Sequence, residues 1–298
     1  VDLRQLETFR KVASVGSFTR AAAELNYAQS TVTAQIKGLE AEFNVSLFQR
    51  NGRGVQITAA GRQLLPYATK ILDLAAEARH ALQPDREPSG MLVVGTLESI
   101  TSYRLPPLLE LFRYRYPRLR LSLRATPGAE ALAALRAGTF DAAFLMDEQC
   151  EHRGLTTVVL REEPLTLVAA PGHPLAAEPE ITLDQLRRTD ILSTEPGCSY
   201  RDKLAELLSD ADGEQLPMLE FGTIEAVKRT AQAGLGVALL PRIVVAAELA
   251  EGSLVRLPWR PPFRVYSQLA WNEKAWLSPE LQVFVSEAIR VVNEGPEG

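Results

Sequence analysis

The chain has 298 residues, 46% of them hydrophobic and 23% charged, with a formal net charge of −5. This is the make-up of a globular protein with room for two or three cores. No apolar run approaches the ~20 residues of a membrane span, and Cys150 and Cys198 are too few for a disulfide framework, so a reducing cytoplasm fits.

The net charge hides an asymmetry. Residues 1–83 carry 10 Lys/Arg against 7 Asp/Glu, a net of +3, whereas residues 84–298 carry 22 against 30, a net of −8. A basic N-terminal part on an acidic remainder suits a chain in which only one end approaches phosphate.

A first helix is expected over about Leu3–Val15, with Leu6, Phe9, Val12 and Ala13 on one face and Gly16 ending it. Ser17 or Thr19 can cap the next helix, whose inner face is Ala21, Ala22 and Leu25. Asn26-Tyr27-Ala28 interrupt the pattern. Val32, Ile36, Leu39 and Phe43 then form one apolar stripe on another helix. Small residues at the crossing fit a helix-turn-helix. The outer face of its second helix carries Gln29, Ser30, Thr31, Thr33, Gln35 and Lys37, donors and acceptors suited to base edges and phosphates. Leu47–Thr58 reads as two strands about an Asn51-Gly52 turn, a wing with Arg50 and Arg53 at its tip.

From Thr58 to Leu82 a long helix follows. Leu64, Ala68, Ile71, Ala75, Ala78 and Leu82 alternate spacings of four and three, a heptad seam that Leu65 and Leu72 widen, which points to a dimerising linker helix. The Pro- and Gly-bearing segment 84–90 ends it and marks the clearest domain boundary.

Beyond it, strands and helices alternate. Strands are expected at Met91–Gly95, Leu119–Ala125 and Phe140–Leu145, with helices at Thr101–Tyr114 and Ala129–Ala137. A second series has strands at Leu165–Ala170, Asp190–Ser193, Met218–Phe221 and Val237–Leu240, and helices at Ser199–Ser209, Ile224–Ala233 and Arg242–Ala250. A late strand at Val265–Ala270 and a helix at Pro279–Val292 finish the chain. The order implies two α/β lobes with mainly parallel sheets and a ligand cleft between them. In the arginine- and aromatic-rich stretch 112–120, Leu119, Leu121 and Leu123 alternate with polar residues, so an edge strand at a subunit interface is expected there rather than a nucleic-acid surface.

The N-terminal region closely resembles the LysR-type transcriptional regulators. The match runs through Phe18-Thr19-Arg20-Ala21-Ala22, Leu25, Gln29, Val32, Thr33, Gln35-Ile36, Leu39-Glu40, Leu47-Phe48, Arg50, Ile57-Thr58 and Gly61. Looser matches continue at Gly172-His173-Pro174-Leu175, Gly197-Cys198-Ser199-Tyr200-Arg201 and 233–241. The resemblance implies a winged helix-turn-helix domain over 1–58, a dimerising linker helix over 59–83, a hinge over 84–90 and an effector-binding domain like periplasmic binding proteins over 91–298. Lobe I would take 91–163 and 267–298, and lobe II 164–266. It further implies a homotetramer, often a dimer of dimers, with promoter DNA, a small effector and RNA polymerase as candidate partners. Carried over by position, Thr19, Gln29, Ser30, Thr31, Thr33, Ala34, Gln35, Lys37, Arg50, Arg53 and Thr58 form the DNA-contacting set. Many members have proline at the place of Ser30 and arginine at that of Ala34; losing that arginine removes a guanine contact.

Ligands in open α/β sheets lie at the carboxyl ends of strands, beside helix N-termini that attract anions. Four loops answer this description, and the family's effector sites match them: Glu98, Ser99 and Ile100; Thr126; Ser193, Thr194 and Cys198; and Phe221 and Thr223. Ser99 and Thr126, with Thr194 and Thr223 behind them, suit a carboxylate or other small anion. Glu98 either adds an amine contact or is merely solvated. No cofactor or metal site is expected, because His80, His152 and His173 are spaced neither as ligands nor beside an obvious nucleophile. Two rivals stand beside the effector-responsive regulator: redox sensing through cysteine, and a thiol enzyme using Cys198 at a helix start.

Overall fold

The computed structural model describes every residue except 52–53, 83–86, 195, 210–217 and 295–298, with side chains undescribed also at 50, 51, 54 and 79–81. Helix α1 (Leu3–Val15) opens with a capping box in which Asp2 accepts from the backbone of the first turn and Gln5 reaches back to the Asp2 amide. Gly16, at φ 63, closes it. Ser17, not Thr19, caps α2 (Phe18–Leu25), and Asn26 ends that helix in the left-handed conformation. Helix α3 (Gln29–Phe43) follows after three residues, and strands β1 (Phe48–Asn51) and β2 (Gly54–Ile57) pair antiparallel as the wing. Leu6, Phe9, Val12, Ala21, Val32, Ile36, Leu39 and Leu47 make the core of this domain.

Helix α4 (Ala59–Leu82) is continuous through Pro66. Its expected seam divides in two. Leu65, Ala68 and Leu72 are buried against the N-terminal core, with Leu64 packed beside them, whereas Ile71 and Leu82 are exposed together with Tyr67 and Leu74. The intramolecular core takes the stripe that holds Ala68, and a second stripe faces outward.

Lobe I contains β3 (Gly90–Thr96), α5 (Glu98–Tyr103), α6 (Pro106–Arg115), β4 (Leu119–Ala125), α7 (Gly128–Ala137), β5 (Ala142–Asp147) and β6 (Leu155–Glu162). The single helix expected over 101–114 is two, because Pro106 at the first position of α6 has no N–H with which to continue α5. Lobe II contains β7 (Leu165–Ala169), α8 (Leu183–Arg187), β8 (Ile191–Thr194), α9 (Ser199–Leu208), β9 (Leu219–Phe221), α10 (Ile224–Gln232), β10 (Val237–Pro241), α11 (Ala246–Glu251) and β11 (Val255–Arg256). Strand β12 (Tyr266–Asn272) and helix α12 (Pro279–Glu294) return to lobe I.

The sheets run β4-β3-β5-β12-β6 and β11-β7-β10-β8-β9. Each is mixed rather than mainly parallel: β12 runs antiparallel to both β5 and β6, and β7 runs antiparallel to β10 and β11. Strand β4 is an edge, as its alternation implied. Where the chain crosses between lobes, the Glu163 amide donates to the Val265 carbonyl at 2.9 Å. Beside it the buried Glu163 carboxylate takes two bonds from Arg104, at 3.0 and 2.6 Å. A buried charge is tolerated at this crossing because its partner is bidentate.

Candidate DNA-binding surface and effector cleft

Helix α3 begins after Ala28, which offers no side-chain cap, so its first amides remain open to an anion. Gln29, Ser30, Thr31, Ala34 and Lys37 are exposed along it, and Thr19 is exposed on α2. Three residues of the expected set are engaged in structure instead. Thr33 returns its hydroxyl to the Gln29 carbonyl at 2.9 Å. The Gln35 side-chain oxygen accepts from the buried Thr8 hydroxyl, which turns that side chain inward. Thr58 donates to the Ser46 carbonyl at 2.7 Å and accepts from the Gly61 amide at 3.1 Å, fixing the start of α4 to the wing. Arg50 lies opposite Val55 in the wing ladder. Its side chain, and Arg53, lie outside the described residues.

The cleft is a cavity of about 230 Å³ between the lobes. Lobe I supplies Thr96–Ser99 and Ala125–Pro127; lobe II supplies Thr194, Pro196–Cys198, Tyr200, Phe221, Gly222 and Ile224. Glu98, Ser99, Thr126, Thr194, Cys198 and Phe221 are thus brought together from four loops. Ile100, Ser193 and Thr223 are not. Ile100 is 1% exposed in the lobe I core, one position round α5 from Ser99. Ser193 is buried within β8. Thr223 uses its hydroxyl oxygen to cap the Ala226 amide at 3.2 Å and is not among the lining residues.

Glu98 is neither simply solvated nor free. Its Oε2 accepts from the Ile224 amide at 3.1 Å, so a carboxylate of lobe I occupies the N-terminus of α10 in lobe II. Further bonds close the lobes on each other. Lys203 Nζ lies 2.9 Å from Glu148, and the Ser199 hydroxyl donates to the Met146 carbonyl. Lys228 Nζ reaches the Tyr103 hydroxyl at 3.3 Å and Glu248 at 2.6 Å. Burial works against the Lys228 charge, but the bonds to Glu248 and Tyr103 outweigh it and hold its pKa above the usual lysine value. Gly197, at φ +98, faces Pro127 so closely that a Cβ there would come within 3.3 Å of the proline Cβ.

Tyr200 was missed as a lining residue, although it falls within the Gly197–Arg201 motif; its ring is buried among lobe I residues, and burial pushes its hydroxyl well up. Thr194 Oγ1 is buried beside the Cys198 thiol. Burial also pushes the Cys198 thiol up, as it does that of Cys150, near Asp147 and Glu148. Cys150 Sγ lies 3.6 Å from His152 Nε2, but a thiol raised in this way holds little thiolate at neutral pH. Among the described residues no cluster of three or more His, Cys, Asp or Glu could hold a metal, and no helix is long and apolar enough to cross a membrane.

A winged helix-turn-helix joined by one long helix to a two-lobed ligand-binding domain defines a ligand-responsive, DNA-binding regulator. Comparison with known proteins gives the family. Residues 3–62 match the bacterial regulatory helix-turn-helix proteins of the lysR family, and residues 85–292 match the LysR substrate binding domain. An HTH-type transcriptional regulator of Bacillus subtilis, YwqM, is 38% identical over 96% of this chain and 97% of its own. Another from B. subtilis, GltR, is 34% identical over 85% and 84%. Full-length OxyR from Pseudomonas aeruginosa shares the fold over 99% of this chain and 95% of its own, with a TM-score of 0.77 at 23% identity. The chain belongs to the LysR family of transcriptional regulators.

Proposed function

We propose that this regulator reads its promoter with the opening of α3 and responds to a small carboxylate or similar anion in the cleft. Gln29, Ser30, Thr31, Ala34 and Lys37 form the exposed face that enters the major groove, Thr19 supports them, and Arg50 and Arg53 anchor the wing to phosphate or the minor groove. Thr33, Gln35 and Thr58 position this surface. With Ala34 in place of a longer donor, base contacts fall to Gln29, Ser30 and Thr31.

The observation that carries the effector reading is the Glu98–Ile224 bond. The protein places its own carboxylate on the first amide of α10, inside a cavity also lined by Ser99 and Thr126. An effector carboxylate competes for that amide and takes the two hydroxyls as further donors. Displacing Glu98 removes a lobe-to-lobe bond, so the ligand shifts the balance between two lobe arrangements. The reading includes a cytoplasmic protein that pairs through the outward stripe of α4 and assembles into a homotetramer whose half-site spacing changes with the effector.

Footprinting of the chain's own upstream DNA across a salt series, with and without a panel of small carboxylic acids, tests the proposal. Protection at two spaced half-sites that weakens with salt and changes with one acid supports it. Protection that no acid alters discards the anionic effector, and no protection at low salt discards the proposed reading of its own promoter by α3. The raised thiols of Cys198 and Cys150 weigh against redox sensing, so peroxide is expected to leave the footprint unchanged.

A further inference from the structure

Three charged side chains from three elements meet where the N-terminal domain touches lobe I. Lys11 of α1 lies 3.3 Å from Glu24 of α2, and the other Glu24 oxygen takes a 3.0 Å bond from Arg124 of β4. Their side chains are only 12%, 23% and 27% exposed, so the pairs are less screened than surface ones. Two members of this triad lead to a working part of the molecule. Arg124 precedes the cleft loop Ala125–Pro127, and the Thr126 hydroxyl donates to the Arg124 carbonyl at 3.1 Å. Glu24 stands in the last turn of α2, five residues before α3 opens.

The surrounding contact is closely fitted. Gly138, left-handed at φ +70, lies against the linker helix so tightly that a Cβ would come within 2.6 Å of Thr69 Cγ2. Ala137 packs on the N-terminal core, and Arg10 Nη1 lies 3.9 Å from Asp73 at the same junction.

We propose that the Lys11–Glu24–Arg124 triad is a positioning device that couples the cleft to the helix-turn-helix of the same chain. This coupling rests on the cleft being the effector site. A ligand that engages Thr126 draws its hydroxyl from the Arg124 carbonyl and shifts the end of β4. The guanidinium moves with that backbone, and the Glu24 bond is lost. With the bond made, α2 is held against the edge of the lobe I sheet; with it lost, the N-terminal domain, α4 included, reorients on lobe I as one packed body. The ligand thus alters DNA binding through the unequal stability of two placements.

The test measures placement directly in the full chain. Nitroxides are attached to Cys150 and to an Ala41→Cys variant in a Cys198→Ala background, and spin-diluted with unlabelled protein so that distances within one chain dominate. Arg124→Glu and Glu24→Arg are each expected to lower the docked-to-undocked ratio by about tenfold, and the triple charge swap, with Lys11→Glu added so that residue 24 again faces opposite charge on both sides, to restore it. Thr126→Val is expected to shift the distances and to add nothing in the Arg124→Glu background. Unchanged distances in the single charge variants, failure of the swap to rescue, or additivity of Thr126→Val with Arg124→Glu would overturn the proposal. The measurement uses neither DNA nor effector. A footprint insensitive to every acid therefore removes the cleft reading, while the distances decide the triad separately.

Discussion

Gly61 has no room for a side chain. A Cβ there would fall 2.5 Å from the Leu47 carbonyl oxygen and 2.6 Å from Ile57 Cγ1, where the wing meets the start of α4. Gly61→Ala is expected to destabilise the N-terminal domain by ~1–3 kcal/mol through overpacking, seen as an earlier denaturant midpoint and weaker DNA retention. Glu98 supports a second expectation. Glu98→Gln removes the charge that competes for the α10 amide while keeping an acceptor, so affinity for small carboxylates should rise roughly two- to fivefold, the strength of a charge at a helix terminus. Titration calorimetry with the acid selected by footprinting measures it, and a loss of affinity would show that Glu98 touches the effector directly. The sequence marked Glu98 and Ser99 as loop residues before a helix. It did not disclose the Glu98 partner, because Ile224 lies 126 residues away and offers only a backbone N–H. The internal bonds of Thr33, Gln35 and Thr58 were not legible for a related reason: hydroxyls and amides that suit DNA also suit the protein's own backbone and side chains.

At the scale of elements, α4 shows what periodicity can and cannot decide. The long helix and its apolar richness were legible. Which stripe faced which partner was not, because stripes holding Ala68 and Ile71 lie about 60° apart at three residues' separation and both read as apolar. The structure assigns Leu65, Ala68 and Leu72 to the chain's own core and leaves Tyr67, Ile71, Leu74 and Leu82 exposed. Leu74 is 64% exposed, so Leu74→Glu should spare the monomer fold and weaken self-association by roughly 3–6 kcal/mol per dimer, counting the side chain once on each subunit. Sedimentation velocity across a concentration series reads this loss; an unchanged association would move the interface off this stripe. Strand β6 was invisible for a different reason. Thr156, Thr157 and Arg161 blunt its apolar signal, and its partner β12 comes from the far end of the chain. A strand defined by non-local pairing leaves little trace in its own residues.

For the whole molecule, the junction between the N-terminal domain and lobe I carries a pH dependence of calculable sign. Asp141 accepts the Val93 amide at 2.6 Å, and burial raises its pKa against the opposing pull of that bond, Arg10 and Lys11. Burial and the neighbouring Asp141 also raise Asp73 on α4, against the pull of Arg10. Glu7, from α1, lines a cavity at this junction together with Arg10, Lys11 and Asp141. A carboxyl whose folded pKa exceeds its unfolded value binds more protons folded than unfolded between the two values. Its ionised form therefore costs stability at neutral pH, and that cost disappears as pH falls through the raised value toward the ordinary carboxylate range. Glu24 has the opposite sign: burial tends to raise it, but bonds from Lys11 and Arg124 prevail and lower it, so its contribution is lost only below the ordinary range. Comparing wild type with Asp141→Asn isolates the first effect, because asparagine can still accept from Val93 but does not ionise. The variant should melt higher than wild type at pH 7, and the gap should narrow as the pH falls through the raised Asp141 value toward the ordinary carboxylate range. A variant that melts lower at pH 7 would mean that attraction to Arg10 and Lys11 outweighs desolvation, and that the junction is held by Asp141 rather than held despite it.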